Sequence, residues 1–257
     1  MARILHFTDA HLRWNQPGSA DNPLRLSRDI PSIMGRLAVR IKELKLDAIV
    51  MTGDLLDVPD DVLSGAPGDG RTKEQWRGEI DADLQIFKDW FDSVGVPWIA
   101  VPGNHDDEDA FLRIFGAPPV FTDIAGFRFF TFWDELGPDR QPRRTGQRKN
   151  AFNDALNAPE HDRPQVHLQH YMIDPPTRAR GWRYEYFDAA QMKQDVERSG
   201  RVRAVLSGHY HPGSLARGKN GLIHSLPPAF CEAPHSFRVY DFTPSGACDV
   251  QDHELDR

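Results

Sequence analysis

The chain has 257 residues, of which 39% are hydrophobic and 10% aromatic, and its 38 acidic and 31 basic residues leave a formal net charge of −7. Disordered chains combine few aromatic residues with high net charge, so this composition excludes disorder. The acidic balance argues against a protein that binds duplex DNA or an anionic membrane through a basic surface. The length suits one α/β core, so we expect a single domain over residues 1–257, with two small domains as the alternative.

The number of cysteines and the length of the apolar runs limit the cellular compartment and the type of metal site that we expect. Cys231 and Cys248 are too few for a disulfide framework. No apolar run approaches the roughly 18 residues of a membrane-spanning helix, and the residues after Arg3 do not resemble a signal peptide. We therefore expect a cytoplasmic protein with no membrane partner, in which histidine and carboxylate are the available metal ligands.

Strands alternate with helices in the first half of the chain. Three short apolar runs predict strands at residues 3–8, 47–52 and 96–101. Apolar residues recur at helical spacing from Ile33 to Leu44 and again from Ile80 to Phe91. This repeated strand–helix–strand order predicts a parallel sheet covered by helices.

The second half contains more strands and fewer helices. Strands are predicted at residues 120–124, 127–133, 165–169, 202–207, 222–225, 237–242 and 247–251. The first two flank Ala125-Gly126 and predict a hairpin, while residues 188–199 predict a helix. The sheet is therefore expected to be mixed. Three stretches are predicted to be irregular, at residues 13–23, 59–72 and 137–149.

Polar residues of the metal-ligand type follow five of these strands. They are Asp9 and His11 after the first strand, Asp54 and Asp57 after the second, Asn104, His105 and Asp106 after the third, His170 after residues 165–169, and His209 and His211 after residues 202–207. The carboxyl ends of strands in an open α/β sheet face one crevice, so we expect these side chains to converge there.

Each block alone has an ordinary structural explanation. An Asp-x-His pair such as Asp9 and His11 usually caps a turn, and the acidic run from Asp106 to Asp109 is typical of a helix start. His170 by itself indicates nothing. The conjunction of five blocks, each at a strand end, favours a metal site over separate structural roles.

The number of candidate ligands favours two cations over one. The seven candidates are Asp9, His11, Asp54, Asn104, His170, His209 and His211. Seven nitrogen and oxygen ligands are too many for one tetrahedral zinc. Because a carboxylate can bridge two cations, Asp54 is the expected bridge. Two cations roughly 4 Å apart can stabilise the attacking and leaving oxygens of a displacement at phosphorus.

These blocks resemble the calcineurin-like metallophosphoesterase superfamily, whose pattern is Asp-x-His, Gly-Asp-x-x-Asp, Gly-Asn-His-Asp/Glu, His and Gly-His-x-His. All five are present in order, between positions 9 and 211. The resemblance implies an α/β four-layer sandwich of two mixed β-sheets flanked by helices, with the metal site at the carboxyl ends of the strands.

The resemblance also implies a role for each residue. One metal would be bound by Asp9, His11 and His211, the other by Asn104, His170 and His209, and both by Asp54. His105 would contact the phosphoryl group and protonate the leaving alcohol, while a metal-bridging hydroxide attacks phosphorus. Asp57 and Asp106 would orient the imidazoles of the ligands.

Three functions are compatible with these features. Overall size favours the smaller phosphodiesterases that act on cyclic nucleotides, glycerophosphodiesters or similar diesters. Against a close match, many of those proteins carry His-His-Pro where this chain has Gln169-His170-Tyr171-Met172. A phosphomonoesterase is the nearest alternative. A non-catalytic binding scaffold is less favoured, because such members tend to lose histidines that this chain retains.

Substrate contacts are expected in the loops beyond the metal ligands. The candidates are Arg13, Trp14, Tyr171, Arg178 and Tyr210. Arg178 begins a segment, residues 178–186, that also contains Arg180, Trp182, Arg183, Tyr184 and Tyr186. Arginine and aromatic side chains can bind phosphate and stack on a base, although a solvated loop over packed aromatics is the alternative. The expected cofactors are two divalent ions, Mn, Fe or Zn, the expected partner is a small phosphoester, and a homodimer is possible.

Overall fold

The computed structural model describes residues 1–179, 181–218, 221–243 and 245–256. The strands of this part of the chain are β1 Ala2–Phe7, β2 Ala48–Thr52, β3 Trp98–Val101, β4 Phe121–Ile124, β5 Phe127–Thr131, β6 Glu135–Leu136, β7 Pro142–Arg143, β8 Gln165–Leu168, β9 Arg178–Ala179, β10 Trp182–Arg183, β11 Val202–Leu206, β12 Ser214–Arg217, β13 Ile223–Leu226, β14 Ser236–Phe242 and β15 Cys248–Glu254. The helices are α1 Ile30–Leu44, α2 Asp60–Leu63, α3 Lys73–Ser93, α4 Glu108–Phe115, α5 Gly146–Asn157 and α6 Ala189–Ser199, with a 3-10 turn at Pro159–His161.

Two large sheets form the centre of the fold, and both are mixed. The first has the strand order β15-β14-β1-β2-β3, in which β1, β2 and β3 are parallel and β14 and β15 are antiparallel additions. The second has the order β12-β13-β11-β8-β5-β4. Its four inner strands are parallel, and β12 and β4 pair antiparallel at the edges.

Alternation along β1 explains how the layers pack. Ile4 faces a cluster between the two sheets that includes Val166 and Phe242, whereas Leu5 and Phe7 face helices α1, α3 and α4. A third cluster fills the space between the second sheet and helices α5 and α6. The layer order is therefore helices, sheet, sheet, helices, which confirms the expected four-layer α/β sandwich.

The predicted elements agree with most of the observed ones. The strands predicted at residues 3–8, 47–52 and 96–101 correspond to β1, β2 and β3, and the predicted hairpin is the antiparallel pair β4 and β5. The helix predicted at residues 188–199 is α6. In most of these elements apolar residues pack into one of the three clusters, so the spacing of the apolar residues is visible in the sequence.

Two stretches predicted to be irregular contain regular structure. Residues 59–72 include the short helix α2, and residues 137–149 include strand β7 and the first turn of α5. The reason is that α5 buries only Phe152, Ala155 and Leu156, all beyond its first turns. A helix that presents so few apolar residues has a weak periodic signal and depends on tertiary packing.

Capping interactions fix the first turns of helices α3 and α4. Thr72 caps α3 in a reciprocal capping box with Gln75. Asp107 caps α4 by accepting from the Ala110 amide, so the loop that carries His105 leads directly into a helix. Among the described residues, no helix combines the length and the apolar character needed to cross a membrane.

Candidate metal centre

The predicted ligands come together at the carboxyl ends of parallel strands from both sheets. Strands β1, β2 and β3 of the first sheet lead into Asp9, Asp54 and Asn104. Strands β8 and β11 of the second sheet lead into His170 and His209. Each residue follows its strand by two or three positions, so the edge where both sheets end places all five blocks around one point.

The backbone of this region is held in a conformation that non-glycine residues rarely adopt. The φ angles of Asp9, His11, Asp54 and His209 are 54°, 48°, 52° and 71°. Each such residue costs roughly 1–3 kcal/mol and persists only where surrounding structure imposes it. These four left-handed residues in one cluster indicate a functional site, and that signal is independent of the motif.

Two glycines let the loops approach each other closely. Gly53 has a φ of 94°, and a Cβ atom there would lie 2.5 Å from Nδ1 of His170. A Cβ atom on Gly103 would lie within 2.4 Å of the Asp54 amide nitrogen. Glycine at these positions therefore allows the blocks after β2, β3 and β8 to meet.

The first group of converging atoms contains Asp9, His11 and His211. The Nε2 atoms of His11 and His211 lie 3.1 Å apart. The Oδ1 atom of Asp9 lies 3.9 Å from the first and 3.8 Å from the second. Ligand atoms about 2.1 Å from a common cation are separated by roughly 3.0–3.4 Å. The Asp9 oxygen therefore needs to move only slightly toward the two imidazoles for all three residues to bind one ion.

The second group contains Asp54, Asn104, His170 and His209. The Nε2 atom of His170 lies 3.0 Å from Oδ1 of Asn104 and 3.3 Å from Oδ2 of Asp54. His209 joins Asp54 and His170 in a cluster whose ligand atoms lie within 4.8 Å of one another. The same Asp54 oxygen is 3.6 Å from Nε2 of His11 in the first group. Asp54 is therefore the carboxylate shared by both groups.

Hydrogen bonds on the far side of the imidazoles set their orientation. The Nδ1 atom of His170 donates to the Thr52 carbonyl at 2.7 Å, which turns Nε2 toward Asp54 and Asn104. The Nδ1 atom of His211 lies 2.7 Å from Oε1 of Glu232. These partners favour the tautomer in which Nε2 is available to a metal ion.

Asp57 lies behind two of the histidines. Its Oδ1 atom is 3.5 Å from Nδ1 of His11 and 3.6 Å from Nδ1 of His105. Arg13 and Arg25 contact the same carboxylate at 2.7 and 2.5 Å. Burial alone would raise the pKa of Asp57, but its bond to His11 and the arginine charges hold it well below the usual range.

Asp106 has a different role from the expected orientation of imidazoles. Its carboxylate accepts from the amides of Gly103, Leu55 and Leu56 at 2.8, 3.2 and 2.8 Å. No hydrogen bond to an imidazole is present for it within the described residues. Asp106 therefore ties the loop after β3 to the loop after β2, and burial followed by the charge of Asp54 raises its pKa to about 7.

Three of the donors, His11, His209 and Asp54, have protonation states that suit divalent cations. Burial lowers the pKa of His11 and of His209 well below the ordinary histidine value, so both are neutral at pH 7. Burial would raise the pKa of Asp54, but the charges of His170 and His105 hold it well below the usual range. His170 differs: burial would lower its pKa, but the charge of Asp54 raises it to about 9, so this imidazole would lose a proton on metal binding. Neutral imidazole and ionised carboxylate are the forms that bind metal, and the donor set suits Mn, Fe or Zn.

A cleft of about 390 Å³ opens over the two groups. It is lined by Asn22, Arg25, Asp54, His105, Tyr184, His209, His211, Pro212 and Glu232. A second cavity of about 200 Å³ shares His105, Tyr184 and His209 with the cleft and extends to Leu136, Arg140 and Trp182. The cleft and the cavity therefore adjoin at His105, Tyr184 and His209.

The residues expected to contact substrate are placed in different ways. Arg13 is buried, and its guanidinium is used by Asp57 and by the carbonyls of Pro17 and Ser19. Trp14 is 55% exposed and lines neither space, and Arg178 is exposed on β9 outside both. Tyr171 is buried with its ring against His170 and His209.

Tyr210 is half-buried against Tyr184, and Arg180 lies outside the described residues.

The cleft also contains residues that sequence reasoning missed. Asn22, Arg25 and Glu232 line it, although they belong to loops without a recognisable motif. Tyr184 was named only as part of the Arg/aromatic segment, and it is the member of that segment that lines both spaces.

Cys231 lies close to the first group, near His11 and His211. The sequence predicted histidine and carboxylate as the available ligands, whereas the Cys231 thiol also lies close enough to be a candidate. Burial, followed by the charge of Asp9, raises the pKa of Cys231 well above its ordinary value, so the thiol is protonated at neutral pH. A protonated thiol is a weak metal ligand.

Comparison with known proteins agrees with this geometry. A sequence profile of the calcineurin-like phosphoesterase family matches residues 2–213. A curated relative, a "probable cyclic nucleotide phosphodiesterase" of Synechococcus sp., is 24% identical over 266 residues that cover 98% of this chain and 92% of the relative.

Two solved structures share the fold at low sequence identity. A dimetal phosphatase from Danio rerio superposes with a TM-score of 0.70 at 13% identity, over 99% of this chain and 96% of the other. A purple acid phosphatase from yellow lupin gives a TM-score of 0.63 at 13% identity, over 99% of this chain and 51% of the other. With the profile match covering most of its length, the chain belongs to the calcineurin-like phosphoesterase family of metal-dependent phosphoester hydrolases.

Proposed function

We propose that the protein hydrolyses a small phosphodiester at a centre of two divalent cations. Asp9, His11 and His211 would hold one cation, Asn104, His170 and His209 the other, and Asp54 both. The support is the shared Oδ2 atom of Asp54, which lies 3.6 Å from His11 Nε2 and 3.3 Å from His170 Nε2. Bound cations would polarise the phosphoryl oxygens and acidify a coordinated water.

His105 is the residue placed to move a proton to the leaving group. Its amide donates to Oδ1 of Asp54 at 2.8 Å, which fixes the backbone beside the shared carboxylate. Its Nδ1 atom faces Asp57 at 3.6 Å, so Nε2 is the ring nitrogen left for substrate. The side chain is 20% exposed and lines both the cleft and the second cavity. A departing alcohol held there is within reach of a general acid.

Arg25 supplies positive charge to the cleft wall. Its guanidinium is 14% exposed and is held by Asp57 at 2.5 Å, so it is positioned before substrate arrives. A guanidinium that lines the cleft can bind a non-bridging phosphoryl oxygen by a charge-assisted hydrogen bond. Arg25 takes the role that the sequence suggested for Arg13, which is held behind the site.

The observation that carries the preference for a diester is the pair of spaces on either side of His105 and His209. A phosphodiester has two organic groups, and the cleft of about 390 Å³ and the cavity of about 200 Å³ offer a place for each. A phosphomonoester would need only one of them. The name of the Synechococcus relative is compatible with a diester substrate.

The test compares a diester with a monoester on the same enzyme. Protein loaded with Mn²⁺, Fe²⁺ or Zn²⁺ is assayed with bis(p-nitrophenyl) phosphate and with p-nitrophenyl phosphate. We expect a higher kcat/KM for the diester with at least one metal. A higher value for the monoester would establish a phosphatase instead, and bound metal without turnover of either substrate would establish a binding scaffold.

We propose that the protein works in the cytoplasm, that it does not bind duplex DNA, and that it forms a homodimer. The net charge of −7 supports the second of these. Light scattering after size-exclusion chromatography measures the oligomeric state, and a mobility-shift assay at low salt measures duplex binding.

A further inference from the structure

The cavity beside the metal centre has an aromatic wall that the chemistry described above does not use. Trp182 is 49% exposed and Leu136 is 37% exposed, and both line the cavity with His105. They come from two short ribbons, β9 with β10 and β6 with β7. Single exposed apolar residues are ordinary, but a tryptophan and a leucine in one cavity with a catalytic histidine point to a bound group.

The aromatic rings of this wall are held in place before any ligand binds. The Arg140 guanidinium packs over the Trp182 ring at 5.0 Å from its centroid and pairs with Asp60 at 2.8 Å. Tyr184 packs its ring against His209 at 5.3 Å and against Tyr210 at 5.0 Å. A ring that is already ordered loses little conformational entropy when another ring stacks on it.

The charges around the cavity suit a group attached to phosphate. Arg140 and Arg183 both line it, and no acidic side chain does among the described residues. Arg183 donates to Glu185 at 2.8 Å, which holds its guanidinium at the wall. Aromatic faces with guanidinium groups are the combination that binds bases next to phosphates.

We propose that this cavity binds the nucleobase of a nucleotidyl phosphodiester, with the base stacked on Trp182 beside Tyr184. The assignment rests on the proposed diester hydrolysis and adds its substrate class. It also gives a function to the Arg/aromatic segment, of which Trp182, Arg183 and Tyr184, not Arg178, reach the site.

The test measures binding directly, with two probes that differ only by the base. Calorimetric titration of the Mn²⁺-loaded protein with adenosine 5′-monophosphate and with ribose 5-phosphate isolates the contribution of the base. We expect adenosine 5′-monophosphate to bind about tenfold more tightly, since stacking on an aromatic side chain is worth roughly 1–3 kcal/mol. Trp182→Leu should abolish this preference while keeping apolar bulk, and Trp182→Phe should retain most of it.

Phe187→Ala is the matched control. Phe187 is 56% exposed and lies under the Arg143 guanidinium at 4.4 Å, the same arrangement as Trp182 under Arg140, but it does not line the cavity. Its loss should leave the preference for the base unchanged. Equal binding of both probes by the unmodified protein, or a full preference in Trp182→Leu, would overturn the assignment.

Failure of this assignment is distinct from failure of the proposed reaction. Turnover of bis(p-nitrophenyl) phosphate without any preference for the base would retain the diesterase and reject the base site. A preference for the base without diester turnover would retain the base site and reject the diesterase.

Discussion

The Nδ1 atom of His211 lies 2.7 Å from Oε1 of Glu232, a residue in the loop between β13 and β14. Burial lowers the pKa of His211, but the hydrogen bond to Glu232 and the charge of Asp9 together more than offset this and raise it. The carboxylate thereby fixes the imidazole with Nε2 toward His11 and Asp9.

Glu232→Ala should weaken metal binding without unfolding the protein. Loss of a carboxylate behind a ligating histidine typically reduces metal affinity about 10–100-fold. Competition against a chelator of known affinity measures the change. Glu79→Ala, which removes a surface carboxylate paired with Arg71, is the control and should leave affinity unaltered. Equal affinity of Glu232→Ala and the unmodified protein would show that His211 needs no such support.

Asp54→Ala should remove bound metal. Its Oδ2 atom approaches both groups of ligands, so its loss deprives each of a ligand. Elemental analysis of the purified variant should show much less than the two equivalents expected for the unmodified protein. Asp60→Ala, at an exposed carboxylate of α2, controls for a change of charge. A variant that keeps two equivalents would contradict the bridging role.

His105→Ala should keep its metal and lose turnover. His105 approaches Asp54 through its backbone amide, so the metal ligands remain in place when the ring is removed. Loss of a general acid typically lowers the rate about 10²–10⁴-fold. Steady-state kinetics with a poor leaving group, together with elemental analysis, separates the two effects. Unchanged turnover at full metal content would remove His105 from the mechanism.

Arg144→Met should destabilise the fold strongly. Arg144 and Asp134 form a buried ion pair at 2.7 Å, and the Tyr186 hydroxyl donates to the same carboxylate at 2.6 Å. Removing one partner leaves an unpaired buried charge, which costs about 3–5 kcal/mol of unfolding free energy. Urea denaturation measures the loss. Arg40→Met, which breaks an exposed pair with Glu43, should change stability by less than about 1 kcal/mol.

His167→Gln should make stability less dependent on pH. Burial, and then the charge of Arg144, lowers the pKa of His167 from 6.5 to about 3. Between pH 7 and pH 5 the unfolded chain therefore takes up a proton that the folded protein does not. Stability falls as the pH decreases, by about 2 kcal/mol for this one residue.

Urea denaturation of the unmodified protein and of His167→Gln at both pH values isolates this contribution, because all other groups cancel in the comparison. Glutamine does not titrate, so the variant should lose about 2 kcal/mol less than the unmodified protein between pH 7 and pH 5. Identical losses would show that His167 is protonated in the folded state. His167 is a buried histidine of β8, hydrogen-bonded to Gln165 at 2.9 Å.

A strand or helix can be predicted from the sequence when the residues that stabilise it are close together in the chain. Strands such as β2 and the alternating β1 carry their period in consecutive residues, and their polar ends mark the blocks at Asp9 and Asp54. Helix α5 and the β6–β7 and β9–β10 ribbons bury few apolar residues, so no period marks them. Their positions depend on contacts that arise only after the two sheets pack.

The amino-acid sequence alone determined most strands of the two central sheets, the family of the protein and the set of candidate ligands, because parallel strands that end together bring their following residues together. The tertiary structure decided which loop residues reach that point. Arg25 and Glu232 enter the cleft while Arg13 turns away to Asp57, and Trp182 rather than Arg178 lines the neighbouring cavity. Nothing in the local sequence distinguishes these residues, since their positions result from packing between loops that are separated in the sequence.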